Sequence, residues 1–171
     1  MAIFKQLNGT DRYFDMSARA DVIAYVTRPD KAESGFVGGI CVDPFDPAES
    51  MDQVAAHFNK STGVQLRHFI ISFYPHELDD PEVANEIAQQ LILWIGQEYQ
   101  AVYGVHEDTD LIHIHVVHNS ISYIDGHRYY GKKKEYYNLI DYIKALLHQY
   151  GIHALEEVSF KSGLNVQIGW E

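Results

Sequence analysis

The sequence predicts an α+β fold, in which a mainly antiparallel central sheet of about five strands carries helices packed on its faces. Two observations lead to this prediction. Segments with a helical period are interspersed irregularly with short β-rich segments, so the chain lacks the strict strand–helix repetition of a parallel α/β protein. In addition, two β-rich segments follow each other across a short acidic turn, which is typical of an antiparallel pair.

Four segments have the apolar periodicity and the end signals of helices. The first begins near Ser17, a potential cap, and stops at Pro29, with Tyr25 among the residues of its apolar face. The longest begins where Asp80 precedes Pro81, a frequent arrangement in the first turn of a helix. The predicted helices cover residues 17–29, 46–60, 79–100 and 135–151.

Five segments have the composition and alternation of strands, and turn residues separate them. A turn is predicted at residues 8–11, after the first strand. The tail, residues 152–171, has no clear pattern. The predicted strands cover residues 1–8, 35–44, 66–74, 101–107 and 110–124.

Length and composition limit the class of protein. With 171 residues, 46% of them hydrophobic, the chain can bury one core, and we expect a single domain over residues 1–171 that is complete or a fragment of a longer protein. The lone cysteine, Cys41, excludes an internal disulfide framework and a cysteine zinc ribbon, so a metal would be held by histidines and carboxylates. Neither a leader peptide nor a membrane span is evident, which predicts a cytoplasmic protein.

The charge is unevenly distributed along the chain. A net charge of −11 argues against a polyanionic partner, yet residues 128–134, "RYYGKKK", contain four of the thirteen lysines and arginines. Such a patch can hold a phosphate backbone and stack on bases. It is equally typical of a solvated loop, and the sequence leaves both interpretations open.

The segment "HEDTDLIHIHVVHNS", residues 106–120, concentrates potential metal ligands. In a strand, residues two apart point to the same side, so His113 and His115 share a face, while His118 points away from it. His106, on the preceding strand, can reach the same face if the two strands pair. The result would be a three-histidine site with open positions for substrate, which suits catalysis better than a closed structural site. Imidazole ligands favour Mn²⁺, Co²⁺, Ni²⁺ or Zn²⁺ over Mg²⁺ in affinity, although Mn²⁺ or Mg²⁺ is the ion expected in the cell.

The same segment resembles a known family motif. The pattern is His106-x-Asp108-x4-His113-x-His115-x3-Asn119, and it is similar to the third motif of the MobA/VirD2-type relaxases, which are mobilisation nucleases of the HUH superfamily. Two further segments fit in the expected order: "IAYVTRPDK" resembles the part of the family that carries the nucleophilic tyrosine, and "ISFYPHE" resembles the strand before the long helix. The resemblance extends from about Ile23 to about Tyr130, and it implies an HUH-type fold.

The resemblance implies a mechanism. Such an enzyme nicks one DNA strand at an origin of transfer for plasmid or conjugative mobilisation. In the reaction, a tyrosine hydroxyl attacks the phosphodiester and forms a 5′-phosphotyrosine link. Tyr25 occupies the matching position, and Tyr13 is the reserve candidate because it also lies early in the chain, next to Arg12. Asp108 is expected to act as a base or to orient a ligand imidazole, and Asn119 is expected beside the metal ligands or facing the DNA.

The expected partner is single-stranded or hairpin origin DNA, with accessory relaxosome proteins and no membrane. Candidate DNA contacts are the basic and aromatic residues Arg28, Arg128, Tyr129, Lys132, Lys133 and Lys134, of which those after residue 127 should lie close to the metal. Two alternatives remain open from the residues alone. A small-molecule metallohydrolase would use the same histidines in a deep pocket, and a non-catalytic DNA-binding module would use them for packing.

Overall fold

A computed structural model describes residues 2–7, 11–159 and 165–169 and shows an α+β architecture around one seven-stranded sheet. The strands are β1 (Ala2–Leu7), β2 (Val37–Ile40), β3 (Leu66–Phe73), β4 (Ala101–His106), β5 (Ile112–Asn119), β6 (Ala154–Ser159) and β7 (Asn165–Gly169). The helices are α1 (Ala18–Val26), α2 (Pro47–His57), α3 (Pro81–Ile95) and α4 (Lys133–His148), with a short 3-10 helix at Asp11–Phe14.

The strand order confirms the predicted mainly antiparallel sheet. It runs β2-β4-β5-β3-β1-β6-β7, and only the β1–β6 neighbours are parallel. The sheet is larger than the five strands expected, because the tail adds β6 beside β1 and β7 beside β6. Residues 8–10 of the predicted first turn lie outside the described residues.

Helices pack on both faces of the sheet, as predicted. The larger apolar cluster joins one face to α3 and α4, and it includes Ile114 and Val116 of β5. The smaller cluster joins the other face to α1 and α2, and it includes Val117. Because side chains alternate along a strand, His113 and His115 lie on the α1 and α2 side with Val117.

The helix that was predicted to be the longest, α3, ends earlier than predicted. Asp80 caps α3 by accepting a hydrogen bond from the Glu82 backbone N–H at 2.9 Å, and the helix stops at Ile95. A Cβ atom at Gly96 would lie 2.7 Å from the Ile40 side chain, so glycine allows β2 to pass close to the helix end. The chain then turns into β4 at Ala101.

Helix α1 contacts the sheet through a face different from the one predicted. Ala18 and Val26 of the predicted apolar face are buried, but the side chain of Tyr25 on that face is 41% exposed. Ile23 and Arg19, which lie off that face, are buried, and the Arg19 side chain is only 1% exposed. Arg19 is buried because its guanidinium binds the side chains of Gln65 and Asn119 under the helix. The expectation that Tyr25 belongs to the apolar face is therefore wrong.

Over the part of the chain that the structure describes, no helix is both long and apolar enough to cross a membrane.

Candidate active site

Strand pairing brings three imidazoles together. His106 at the end of β4 lies directly opposite His113 on β5, and His115 follows two residues later on the same face. One ring nitrogen from each of the three side chains can be chosen so that all three atoms lie within 4.8 Å of one another. This cluster could hold a metal ion with three protein ligands, and it consists of the three histidines that the pattern of the sequence brings together.

Each imidazole uses one ring nitrogen for the protein and leaves the other toward the cluster. His106 donates from Nε2 to the Val26 carbonyl at 2.7 Å, His113 donates from Nδ1 to the Leu111 carbonyl at 2.9 Å, and the Nδ1 of His115 lies 2.9 Å from a nitrogen of His68. The remaining nitrogen of His106, Nδ1, is buried and has no hydrogen-bond partner. A buried nitrogen without a partner fits a metal ligand, because ligand histidines characteristically bond the protein through the other nitrogen.

Burial keeps two of these imidazoles, those of His106 and His115, in the form that binds metals. Desolvation is the largest cause that lowers the pKa of His115, and the neighbouring imidazoles lower it further. The pKa of His106 is also lowered, again mainly by burial, although its bond to Val26 acts in the opposite direction. Neutral imidazoles with free lone pairs are therefore favoured near neutral pH.

Tyr25 lies at the edge of the cluster. Its ring centroid is 5.7 Å from those of both His106 and His115. The next residue, Val26, accepts the hydrogen bond from His106, which fixes the end of α1 against β4. Gly104 makes this approach possible, because a Cβ atom there would collide with the Val26 carbonyl. Tyr25 thus combines proximity to the imidazoles with exposure to solvent.

Tyr13, the reserve candidate, occupies a different environment. Its side chain is 7% exposed, and its hydroxyl lies 3.0 Å from Nδ1 of His68. A cavity of about 400 Å³ is lined by both Tyr13 and Tyr25, and Leu7 and Val22 also contribute to its wall. The burial of Tyr13 favours Tyr25 as the residue that can reach a bulky substrate.

His68 is a site residue that sequence reasoning missed. It lies on β3, two residues from the position paired with His115, and its side chain is 3% exposed. The sequence contained one indication of this role. In a regular strand His68 shares a face with the apolar residues Leu66 and Ile70, so it is a polar side chain on a face that is otherwise apolar. The order of the strands, which places β3 beside β5, was needed to recognise it.

Asp108 lies beside the cluster and is held by an ion pair. Its carboxylate accepts a hydrogen bond from Lys31 at 2.7 Å and lies 3.9 Å from Nε2 of His113. The bond to Lys31 is the main cause that lowers the pKa of Asp108. A carboxylate held in this way is a weak base, so the geometry favours a role in positioning over proton abstraction.

Asn119 lies at the other end of β5 and contacts none of the three imidazoles among its described hydrogen bonds. Its amide accepts from Arg19 at 2.9 Å and donates to Gln100 at 3.0 Å and to the Met51 carbonyl at 3.2 Å. The side chain is fully buried. These contacts make Asn119 part of a polar network that joins α1 and α2 to the sheet, in contrast to the expected place beside the metal ligands.

The predicted basic patch does not adjoin the histidines. Lys132, Lys133 and Lys134 are exposed where α4 begins, and α4 packs on the opposite face of the sheet. Tyr129 is buried in that face, so the expectation that it stacks on DNA conflicts with its position. Arg128 is also engaged, because it donates to the carbonyls of the preceding loop at Thr62 and Val64.

Arg28, by contrast, lies near Tyr25 in the chain. Its guanidinium forms two hydrogen bonds to Asp30, at 3.0 and 2.8 Å, and both side chains are more than half exposed. An exposed pair of this kind contributes little to stability and can open. Arg28 therefore remains available to a phosphate at the edge of the site.

The architecture and the cluster define a class: an α+β domain with three histidines on one face of its sheet and an exposed tyrosine beside them. Comparison with known families gives the particular group. The family model described as "Relaxase: MobA/VirD2-like, nuclease domain" matches residues 25–152, well over half of the chain. The chain belongs to this family of relaxase nuclease domains.

Individual relatives agree with the family. The group II intron-interrupted relaxase LtrB of Lactococcus lactis subsp. cremoris is 37% identical over 71 residues, which are 41% of this chain and 13% of that protein. Protein rlx of Staphylococcus aureus is 32% identical over 82 residues, 48% of this chain and 24% of that protein. MobA of Acidithiobacillus ferrooxidans is 32% identical over 57 residues, 33% of this chain and 14% of that protein. The matches span a quarter or less of the length of these relatives.

A solved structure has a similar fold. It is described as the molecular basis of vancomycin resistance transfer in Staphylococcus aureus, and the superposition has a TM-score of 0.56 over 100% of this chain and 98% of that one. With 13% sequence identity, the likeness concerns the fold alone.

Proposed function

We propose that this domain nicks one strand of DNA at an origin of transfer, with Tyr25 as the nucleophile. The observation that carries the proposal is the position of Tyr25, whose ring lies 5.7 Å from the rings of two of the three clustered histidines while its side chain stays 41% exposed. A nucleophile for a polymeric substrate needs both properties, since it must reach a phosphodiester that remains attached to long flanking strands.

The proposed step is a transesterification. The Tyr25 oxygen forms a bond to phosphorus, the bond from phosphorus to the 3′ oxygen breaks, and the products are a 5′-phosphotyrosine and a free 3′-hydroxyl. The exposed phenol can lose its proton to water, and the departing 3′ oxygen gains one. His106, His113 and His115 would hold a divalent ion, Mn²⁺ or Mg²⁺ in the cell, which supplies positive charge to orient the phosphate and offset charge in the transition state.

Asp108 and its partner Lys31 act as positioning groups in this proposal. The carboxylate lies 3.9 Å from Nε2 of His113, at the side of the cluster, where its negative charge favours a cation held by the imidazoles. Lys31 holds the carboxylate in place and joins the segment after Tyr25 to the turn between β4 and β5. The ion pair therefore connects the nucleophile's loop with the ligand strand.

The proposed substrate is single-stranded or hairpin DNA, with accessory proteins of mobilisation as further partners. The cavity of about 400 Å³ beside Tyr25 supports this substrate. Leu7, Val22 and the two tyrosine rings form an apolar part of its wall that suits a nucleobase, while Asp15 and Asp21 also line it and can accept hydrogen bonds from a base. Arg28 is the proposed phosphate contact near the site. Lys132, Lys133 and Lys134 lie on the other face, so we propose that they bind the strand away from the cleavage point.

Tyr25→Phe tests the nucleophile. The variant keeps the ring and removes the attacking oxygen, so DNA binding should persist while cleavage stops. Parent and variant would be incubated with Mn²⁺ and single-stranded oligonucleotides tiled across the DNA that flanks the gene, and covalent adducts would be resolved on denaturing gels. Tyr137→Phe is the matched control, because that ring is 45% exposed and lies on α4.

Mass spectrometry of the adduct identifies the modified residue. A phosphate bond at Tyr25 supports the proposal, and a bond at Tyr13 or another tyrosine overturns the assignment. Binding without cleavage in the parent would favour a non-catalytic DNA-binding module. Absence of both would favour the small-molecule hydrolase.

A further inference from the structure

A chain of buried hydrogen bonds extends inward from the metal cluster. Nδ1 of His115 lies 2.9 Å from Nε2 of His68, and Nδ1 of His68 lies 3.0 Å from the hydroxyl oxygen of Tyr13. All three side chains are buried, with exposures of 3%, 3% and 7%. The proposed cleavage uses neither His68 nor Tyr13 directly, so their arrangement calls for a separate explanation.

If His115 binds a metal, the hydrogen bonds between His115, His68 and Tyr13 can have only one donor–acceptor direction. Nδ1 of His115 faces His68, which leaves Nε2 for a metal ion. A neutral imidazole carries one ring proton, so a metal-binding His115 must carry it on Nδ1 and donate it to Nε2 of His68. His68 must then carry its own proton on Nδ1 and donate it to the oxygen of Tyr13.

We propose that His68 and Tyr13 are positioning residues that hold His115 in the tautomer that binds the metal. The inference rests on metal binding by the proposed function and assigns the buried residues behind the site. Tyr13 is decisive in this arrangement, because its oxygen accepts a hydrogen bond from Nδ1–H of His68. The proton of His68 thereby stays on Nδ1, and Nε2 of His68 remains an acceptor for His115. His68 in turn fixes the ring plane of His115 from behind.

The opposite tautomer of His68 would block the site. With its proton on Nε2, His68 would donate to Nδ1 of His115, and the proton of His115 would then occupy Nε2, the atom needed by the ion. Without the hydroxyl of Tyr13, the Nδ1 proton of His68 loses its buried acceptor, so the tautomer of His68 with its proton on Nε2 gains population. A phenol that never touches the metal should therefore control metal affinity.

Three variants separate this role from a contribution to packing. Tyr13→Phe keeps the ring and removes the acceptor, His68→Leu removes both hydrogen bonds, and His68→Gln can place its carbonyl oxygen where Nε2 accepts. Calorimetric titration with Mn²⁺ should show affinity about tenfold weaker for Tyr13→Phe and ten- to hundredfold weaker for His68→Leu. His68→Gln should retain most of the parent affinity.

The chain offers a matched control on the opposite face of the sheet. Tyr99 is 6% exposed and its hydroxyl lies 2.6 Å from Nε2 of the partly exposed His127, so Tyr99→Phe breaks a tyrosine–histidine hydrogen bond that involves none of the clustered histidines. Its Mn²⁺ affinity should equal that of the parent. Urea unfolding of each variant shows whether a loss of affinity accompanies a loss of folding, and His68→Gln and Tyr13→Phe keep the test valid if His68→Leu does not fold.

Nitrogen-15 spectra of the metal-free protein read the tautomers directly. We expect His115 and His68 both to carry their proton on Nδ1 in the parent, and Tyr13→Phe to move population toward Nε2–H. A parent spectrum with the His115 proton on Nε2, or unchanged Mn²⁺ affinity in both Tyr13→Phe and His68→Leu, would overturn the inference. If the parent binds no Mn²⁺, the proposed function fails, and the spectra still decide whether Tyr13 determines the tautomer.

Discussion

Replacement of Asn119 by alanine distinguishes a structural role from a role at the metal. The Asn119 side chain makes four buried hydrogen bonds: it accepts from Arg19 and from the Ile121 backbone N–H, and it donates to Gln100 and to the Met51 carbonyl. Alanine removes all four and leaves a guanidinium that is 1% exposed short of an acceptor. The motif that resembles relaxases places this asparagine with the histidines, whereas the structure places it in a separate network.

The magnitude follows from the kinds of hydrogen bonds that alanine removes. Three neutral bonds at about 1 kcal/mol each and one bond to a charged donor at about 1.5–3 kcal/mol give a loss of about 4–6 kcal/mol in the free energy of unfolding. A chain of this length loses about 2–4 °C in Tm per kcal/mol, so Tm should fall by about 10–20 °C. The imidazoles keep their own contacts, so Mn²⁺ affinity below the new Tm should not change.

Urea unfolding and calorimetric titration with Mn²⁺ measure the two effects on the same preparations. Asn138→Ala is the control, because this asparagine is exposed on α4 and its loss should change neither quantity. The reasoning is refuted if Asn119→Ala keeps the parent stability but loses metal affinity. That result would return Asn119 to the site that the motif suggests.

Three further predictions address other parts of the molecule. Burial lowers the pKa of His118 to about 4, so the folded state resists a proton that the unfolded state accepts below about pH 6.5. The contribution of His118 to the free energy of unfolding should be fully present above pH 6.5 and should fall by about 1.4 kcal/mol per pH unit down to pH 4. In urea unfolding between pH 4.5 and 7.5, His118→Phe should show a shallower pH dependence of stability than the parent. Mn²⁺ at a hundred times its Kd should stabilise the fold by about 2.7 kcal/mol in a thermal shift assay, and His113→Ala should abolish the shift. Changing Lys132, Lys133 and Lys134 together to alanine should weaken the binding of single-stranded DNA and leave Mn²⁺ affinity unchanged. The slope of log binding constant against log salt concentration should decrease by about 0.7 for each phosphate that is no longer neutralised. An unchanged slope would identify these lysines as a solvated surface.

The histidine cluster could be predicted from the sequence because its geometry is local. The side-chain period of a strand places His113 and His115 on one face, and a short turn brings the preceding strand into register, so that His106 pairs with His113. The α+β class and the four helices follow from equally local patterns of periodicity and end signals. None of these predictions required knowledge of distant parts of the chain.

Features that depend on tertiary packing were not accessible in the same way. The exposure of Tyr25 follows from the burial of Arg19, which is stabilised by partners up to 100 residues away in the chain. His68 approaches His115 only because β3 and β5 are neighbours. The short separation in sequence predicts the basic patch near the metal, yet the chain crosses to the opposite face before α4 begins at Lys133.

The position of Tyr25 relative to the cluster is fixed by several backbone contacts of the segment that follows it. The N–H of Glu107 donates to the Lys31 carbonyl at 2.9 Å, and the N–H of Val105 donates to the Phe36 carbonyl at 2.9 Å. These bonds extend the ladder beyond β2 and attach the segment to the strand that ends in His106. Because the proposed nucleophile and a proposed metal ligand share one hydrogen-bonded unit, folding sets the separation between them. The side chain of Tyr25 stays partly exposed, and the proposed cleavage of a long polymer requires this combination of a preorganised centre and an open approach.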